Sequence, residues 1–208
     1  MVILGGGESG VGAAILCRKQ GIEVFVSDSG KIPERYKNEL KQYDIAFEEE
    51  KHSEEKILNA DEVVKSPGIP EKNELVQKIK TKGIKVISEI ELAYRHKGAG
   101  KIIAITGSNG KSTTTALTGH ICKTGGMDCA VVGNIGYSFA RQVALDPKPL
   151  YVVEVSSFQL DDIENFNADI AVLLNITEDH LDRYEYRFEN YIRSKFNIIK
   201  NQTHKDYF

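Results

Sequence analysis

The sequence predicts an α/β fold: a Rossmann-like parallel-sheet unit over residues 1–96, then a truncated P-loop ATPase α/β unit over residues 97–208. Three observations predict it. Short apolar runs alternate with amphipathic stretches along the whole chain; a glycine-rich turn follows the first run; a second phosphate-type turn follows the sixth.

The elements follow in order. "VIL" (2–4) is a strand that enters the turn "GGGESG" (5–10), a helix runs over 9–20, and "EVFVSD" (23–28) is the next strand. Short buried strands are expected at "IAF" (45–47), "EVVKS" (62–66) and "KVIS" (85–88). Between them "PERYKNELKQY" and "EKNELVQKIKTKG" carry charge on one side and apolar residues at helical spacing, with Gly83 as a C-terminal stop. "SEIELAYRH" is a further helix. The composition shifts at "KGAGK" (97–101), where a domain boundary is expected. The second unit repeats the logic, with strands at "IIAIT", "CAVVG" (129–133), "LYVVEV" (150–155) and "IAVLLN" (170–175) and helices between them.

Composition narrows the function classes. The 208 residues are 41% hydrophobic and 27% charged with a net charge of -3, which leaves no basic footprint for nucleic acid or an anionic membrane. Cys17, Cys122 and Cys129 are odd in number and widely spaced, so neither a disulfide framework nor a zinc site is expected. That pattern fits a reducing, cytoplasmic setting. No apolar run reaches about 18 residues, and "MVILGGG" moves from start to turn without a basic-then-apolar leader.

Gly5, Gly7 and Gly10 form a G-x-G-x-x-G turn between a strand and a helix, so backbone N–H groups can face a pyrophosphate. Asp28 ends the second strand about 20 residues on, where an acid can accept a ribose hydroxyl. Taken alone, this is the fingerprint of an NAD-dependent oxidoreductase or a nucleotide-sensing module. A tight turn that needs glycine for packing is the plainer alternative.

"ITGSNGKSTTTAL" (105–117) fails the usual P-loop pattern, because Ile105 stands where the first glycine of G-x-x-x-x-G-K-[ST] belongs. Every other working part is present. Gly107, Ser108, Asn109 and Gly110 can curl around phosphate oxygens, Lys111 can reach the β and γ phosphates, and Ser112 or Thr113 can ligate Mg²⁺. A dehydrogenase has no use for this second cradle. Downstream, Glu154 ends a buried strand, a costly place for a charge unless it serves a cation or acts as a base. "LNITEDHLDRY" (174–184) gathers Asn175, Glu178, Asp179, His180, Asp182 and Arg183 in a turn, where His180 among carboxylates suits Mg²⁺ or Mn²⁺ or a phosphate. A solvated acidic loop is the alternative there. His52, His96, His120 and His204 have no such company and read as surface or helix residues.

"TGSNGKST", "GNIG" (133–136), "VEVSSFQL" and "NITEDHLDRY" together resemble the Mur ligases of bacterial peptidoglycan synthesis. "SSFQL" and "KSPGIP" (65–70) are most similar to the D-glutamate-adding branch. The resemblance implies ATP-dependent, ADP-forming ligation of D-glutamate to UDP-N-acetylmuramoyl-L-alanine through an acyl phosphate. It gives the two cradles separate substrates, a uridine nucleotide in the first and ATP in the second. Glu8, Ser9, Asp28, Ser29, Ser66 and Gly68 would contact the uridine diphosphate, and Asn134, Ser156, Gln159 and Arg183 the rest of the substrate. Ser29-Gly30 stand where that branch often carries Thr-Arg, so a basic contact is not expected there. Lys111 would clamp phosphate. Ser112 with Glu154 would hold one Mg²⁺, and His180 with a carbamylated Lys195 a second; without the resemblance Lys195 reads as a solvated helix lysine. Mur ligases have three domains, and matches here cover the first and part of the second. The segment alone is therefore expected to be inactive, and its open sheet edge to pair with a neighbour, whereas the whole enzyme would be a cytoplasmic monomer.

Overall fold

Strand β1 (Val2–Leu4) is buried along its length, as a strand made only of Val, Ile and Leu between two parallel neighbours should be. Those neighbours are β2 (Phe25–Ser27) and β4 (Glu62–Lys65), and β3 (Ala46–Glu48) and β5 (Lys85–Ile87) complete a parallel sheet of order β3-β2-β1-β4-β5. The computed structural model describes all 208 residues. Helices α1 (Glu8–Lys19), α2 (Glu34–Gln42), α3 (Glu54–Leu58), α4 (Glu74–Thr81) and α5 (Glu89–His96) cover this sheet. Strand order reverses between β1 and β4, and ligands of open α/β sheets bind beyond the carboxyl ends of strands at such a reversal. The glycine turn after β1 and Ser66 after β4 meet there. Ser66 Oγ lies so close to Gly5 that a Cβ at that position would strike it, and Gly5 takes a φ of +101° that side chains disfavour.

Local chemistry sets the helix ends. Asn73 caps α4 by accepting from Leu75 N, Ser88 caps α5 by accepting from Glu91 N, and Gly83 stops α4 in the left-handed region at φ +77°.

The second sheet has order β7-β8-β6-β9 and is parallel throughout: β6 (Lys101–Thr106), β7 (Cys129–Gly133), β8 (Leu150–Glu154) and β9 (Ile170–Leu173). Its helices are α6 (Lys111–Thr124), α7 (Phe139–Leu145), α8 (Ser157–Leu160) and α9 (Phe188–Phe196), with 3-10 turns at Leu181–Arg183 and Asn197–Ile199. Helix α7 packs on α1 and α5, so one apolar cluster of 34 buried residues runs from Ile3 and Leu16 through Ile90 to Val132, Phe139 and Tyr151. No helix is long and apolar enough to cross a membrane.

Polar contacts reinforce this junction. The fully buried Glu91 accepts N–H bonds from Glu164, Asn165 and Phe166 at 2.8–3.0 Å and pairs with Arg95 at 2.8 Å. Lys65, 2% exposed, pairs with Asp162 at 2.9 Å and Glu71 at 3.2 Å. Glu91 is both paired and hydrogen-bonded, whereas Lys65 meets its two carboxylates by charge and gives its hydrogen bond to Ile69 O at 3.2 Å.

Several expected boundaries move for identifiable reasons. The second strand ends at Ser27 because the Asp28 carboxylate accepts from Gly6 N at 2.6 Å and Gly30 N at 2.7 Å and turns the chain. "IAF" shifts one residue to Ala46–Glu48, and α3, five residues long, has too little periodicity to read. Strand β9 ends at Leu173, and Leu174 N makes the last ladder bond, to Thr106 O at 3.1 Å. The outer edge of β9 is not open at its start: Ala171 N donates to Tyr207 O at 2.8 Å and Tyr207 N to Asp169 O at 3.0 Å. His52, expected at the surface, is half-buried with Nδ1 2.7 Å from Ser27 Oγ. All three cysteines are free and buried.

Candidate functional site

Strand β6 delivers the loop Gly107–Gly110 to the N-terminus of α6. Gly107 (φ +149°) and Gly110 (φ +81°) supply two bends that a side chain would resist. Lys111 Nζ lies on the loop, donating to Gly107 O at 2.9 Å and Ser108 O at 3.0 Å. Ser112 and Thr113 are exposed on the first helical turn, where N–H groups lack intrahelical partners and the helix dipole favours an anion. Ser108 and Asn109 have inward tasks instead. Ser108 N donates to Asn175 O, and Ser108 Oγ bonds Thr177 O at 2.9 Å and Tyr191 Oη at 3.1 Å. Asn109 and Asn175 exchange bonds at 3.0 and 3.1 Å. Their side chains thus brace the loop from the 174–177 turn.

Glu154 closes β8 between Ile105 of β6 and Gly133 of β7. It is 1% exposed; Oε1 accepts from Asn134 Nδ2 at 3.0 Å, and Oε2 is buried with no partner. An orphaned carboxylate oxygen at a strand end beside a phosphate-type loop is the donor a hard cation requires. No group of three or more His, Cys, Asp or Glu side chains is close enough to hold a metal by itself. A cation here would need Ser112, phosphate or water as further ligands.

Helix α9 brings Lys195 onto the same loop. It is 2% exposed rather than solvated, donates to Gly107 O at 2.8 Å and Thr106 Oγ1 at 3.3 Å, and sits 5.2 Å from the Tyr191 ring centre. Burial, and after it the neighbouring Lys111 charge, push its pKa down to about 8. An amine poised there has a free lone pair far more often than a surface lysine, which carbamate formation needs. His180 takes a left-handed conformation (φ +52°), faces Phe158 at 5.1 Å between ring centres, and has Nε2 3.5 Å from Asp179 Oδ2.

One cavity of about 260 Å³ unites much of this. Lys111, Asn134, Ser156, His180, Arg183 and Lys195 line it, and Gly68 reaches it from the first unit. Asp179 of the 174–184 turn lines it as well; Pro67, Ser157, Phe158 and Tyr191 also do and were not singled out from the sequence. Tyr191 had a legible signal: it precedes Lys195 by four residues and so shares its helix face.

Other expected residues have partners within the fold. Gln159 is buried and closes a capping box with Ser156, accepting from Ser156 N and Oγ at 3.0 Å. Glu8 pairs with Arg141 at 2.7 Å and accepts from Ser138 N at 3.0 Å, so its carboxylate ties α1 to α7. Asp28 is engaged by Gly6 and Gly30, while Ser9 is half-buried and Ser29 exposed beside that turn. Arg183 spends its guanidinium on the carbonyls of Pro67, Gly68 and Ile69 at 3.2–3.4 Å, stacked 4.2 Å from the Phe158 ring centre.

Comparison with known proteins agrees with this geometry. Residues 105–208 match the Mur ligase middle domain, and residues 1–88 match the Mur ligase MurD-like N-terminal domain. A UDP-N-acetylmuramoylalanine--D-glutamate ligase of Cytophaga hutchinsonii is 60% identical over 100% of this chain and 46% of its own length. One of Bacteroides fragilis is 54% identical over 100% of this chain and 47% of its own. The chain therefore spans about half the length of the curated relatives it matches. Among solved structures, UDP-N-acetylmuramate:L-alanyl-gamma-D-glutamyl-meso-diaminopimelate ligase from Neisseria meningitides superposes with TM-score 0.63 at 19% identity, covering 95% of this chain and 67% of that one. UDP-N-acetylmuramate-alanine ligase MurC from Thermotoga maritima gives 0.60 at 21%, covering 96% and 46%. These two speak for the fold alone. A match that takes in half the chain, with the P-loop, Glu154, His180 and Lys195 inside it, means that this chain belongs to the Mur ligase family.

Proposed function

We propose that this chain carries the nucleotide-handling part of a cytoplasmic ligase that joins D-glutamate to UDP-N-acetylmuramoyl-L-alanine with ATP, forming ADP. The observation that carries the reading is the cavity lined by Lys111, Asn134, His180 and Lys195, in which Asn134 also bonds the Glu154 carboxylate whose other oxygen has no partner. High identity to relatives bearing that ligase name supports the substrate assignment. Residues 1–96 would bind the uridine nucleotide at the β1–β4 reversal, with Ser9, Ser29, Ser66 and Gly68 nearest to it. Residues 97–208 would bind ATP.

Phosphoryl transfer to the alanyl carboxylate builds negative charge on oxygens, so the catalytic task is to set positive charge in advance. Lys111 and Lys195 already converge on one carbonyl, that of Gly107. The first N–H groups of α6 add a partial positive charge without a mobile counterion. Mg²⁺, when bound, would neutralise phosphate oxygens and hold them in line. Glu154 and Ser112 would hold one such ion, and His180 with Lys195, carbamylated, a second. Asn134 bonds one Glu154 oxygen and thereby leaves the other aimed away from it.

A thermal-shift comparison tests the reading, because a ligand that binds only the native state raises its apparent stability. UDP should raise the midpoint and NAD⁺ should not, and ATP should act only with Mg²⁺. Stabilisation by NAD⁺ with no response to UDP would favour the dinucleotide reading of the GGGESG turn instead.

A further inference from the structure

The loop Ser66–Ile69 touches both cradles. At one end Ser66 Oγ packs against Gly5 of the glycine turn, and in its middle Pro67 and Gly68 line the cavity of Lys111 and His180. Two cations hold it. Arg183, three residues beyond His180, donates to the carbonyls of Pro67, Gly68 and Ile69. The buried Lys65 donates to the same Ile69 carbonyl at 3.2 Å and pairs with Asp162 of the second unit. The circuit closes through α8: its Phe158 carries the Arg183 guanidinium on one ring face and meets His180, and Asp162 follows α8 by two residues.

We infer that Arg183 is a positioning residue that couples the uridine-nucleotide site to the ATP cavity by fixing the 66–69 loop against the His180 turn. The inference rests on the function proposed above. Three successive carbonyls point at one planar fork, a geometry that guanidinium satisfies and a single ammonium does not. Moving the loop to admit a ligand at Ser66 therefore pulls on the turn that bears His180, and an ion at the cavity restrains the loop in return. Such coupling is reciprocal and, where sites share a structural element, commonly changes affinity about 5- to 150-fold. Substrate contact, the role the sequence resemblance gives Arg183, would make no such link.

The test is a thermodynamic cycle on the 208-residue chain: calorimetric Kd of UDP with and without saturating Mg²⁺–ADP, in wild type, Arg183→Lys and Arg183→Ala. Wild type should show a UDP affinity that changes at least about fivefold on adding Mg²⁺–ADP. In Arg183→Lys, which keeps charge and bulk, that factor should fall to within about twofold of unity while each ligand alone still binds. Amide exchange at Gly68 and Ile69 should quicken in the same variant, a readout that separates loop release from lost folding. A wild-type factor near unity, or one unchanged in both variants, would overturn the coupling and leave the proposed function standing. Absence of any UDP binding to the folded wild type would overturn both.

Discussion

The carboxylate of Glu154 and the carboxamide of Asn134 meet at 3.0 Å where β8 and β7 end side by side, and the bond leaves Glu154 Oε2 buried with no partner. A parallel register that pairs Gly133 with Glu154 makes this contact possible, because Asn134 is the next residue out of the strand.

Glu154→Gln should therefore separate stability from function. It removes a buried charge while keeping shape, so the melting midpoint should hold or rise, whereas Mg²⁺-dependent ATP affinity should fall by about tenfold or more. Calorimetric titration of Mg²⁺–ATP beside a thermal melt reads both. Equal losses in the two would mean a structural role only.

Lys195 carries a sign that can be checked. Its folded pKa of about 8 lies below its ordinary value of 10.5, so across that interval the unfolded chain binds more protons and stability rises with pH. Lys195→Met should be more stable than wild type at pH 7 by about 1–2 kcal/mol, roughly 2–8 °C, with the gap shrinking as pH approaches 10. In bicarbonate labelled with ¹³C, wild type should give a carbamate signal that the variant lacks.

Glu89 titrates the opposite way. It is buried, accepts from Ala140 N and has an unpartnered Oε2; burial first, then the nearby Glu8 charge, raise its pKa from 4.5 to about 8. Between those values the folded chain holds a proton that the unfolded chain has released, so stability falls as pH climbs through the window. Glu89→Gln should be close to wild type at pH 4.5 and more stable by about 2 kcal/mol above pH 8, measured by denaturant melts across pH. A constant difference at all pH values would exclude this residue as the source.

The Lys65–Asp162 pair predicts a large asymmetry. Lys65→Met leaves the buried Asp162 carboxylate with only Lys80, 3.9 Å away, and should cost about 3–5 kcal/mol; Asp162→Ala, which leaves Lys65 paired with Glu71, should cost less, and Lys65→Met with Asp162→Leu should recover most of the larger loss. Equilibrium urea unfolding of the single and double variants makes the comparison.

Strand-and-helix alternation, the two glycine turns and the GKST segment were legible because they are local. A three-residue run of Val, Ile and Leu before glycines can hardly be other than a buried strand entering a turn, and Gly83 after an apolar-periodic stretch is a stop by backbone conformation alone. The motifs near Lys111, Glu154 and His180 carried chemistry in the sequence because short loops at strand ends hold their residue types in a few positions. Tertiary structure decided which of them face the cavity. Gln159 and Glu8 carry the same side-chain chemistry in sequence as a substrate contact would, yet one closes a capping box and the other grips Arg141 130 or so residues away. Lys195 is an ordinary helix lysine until α9 folds its face onto Gly107, and no periodicity reports that neighbour. Arg183 reaches the 67–69 carbonyls, and Lys65 meets Asp162, only when the two units pack, since long-range partners leave no spacing for a sequence to display.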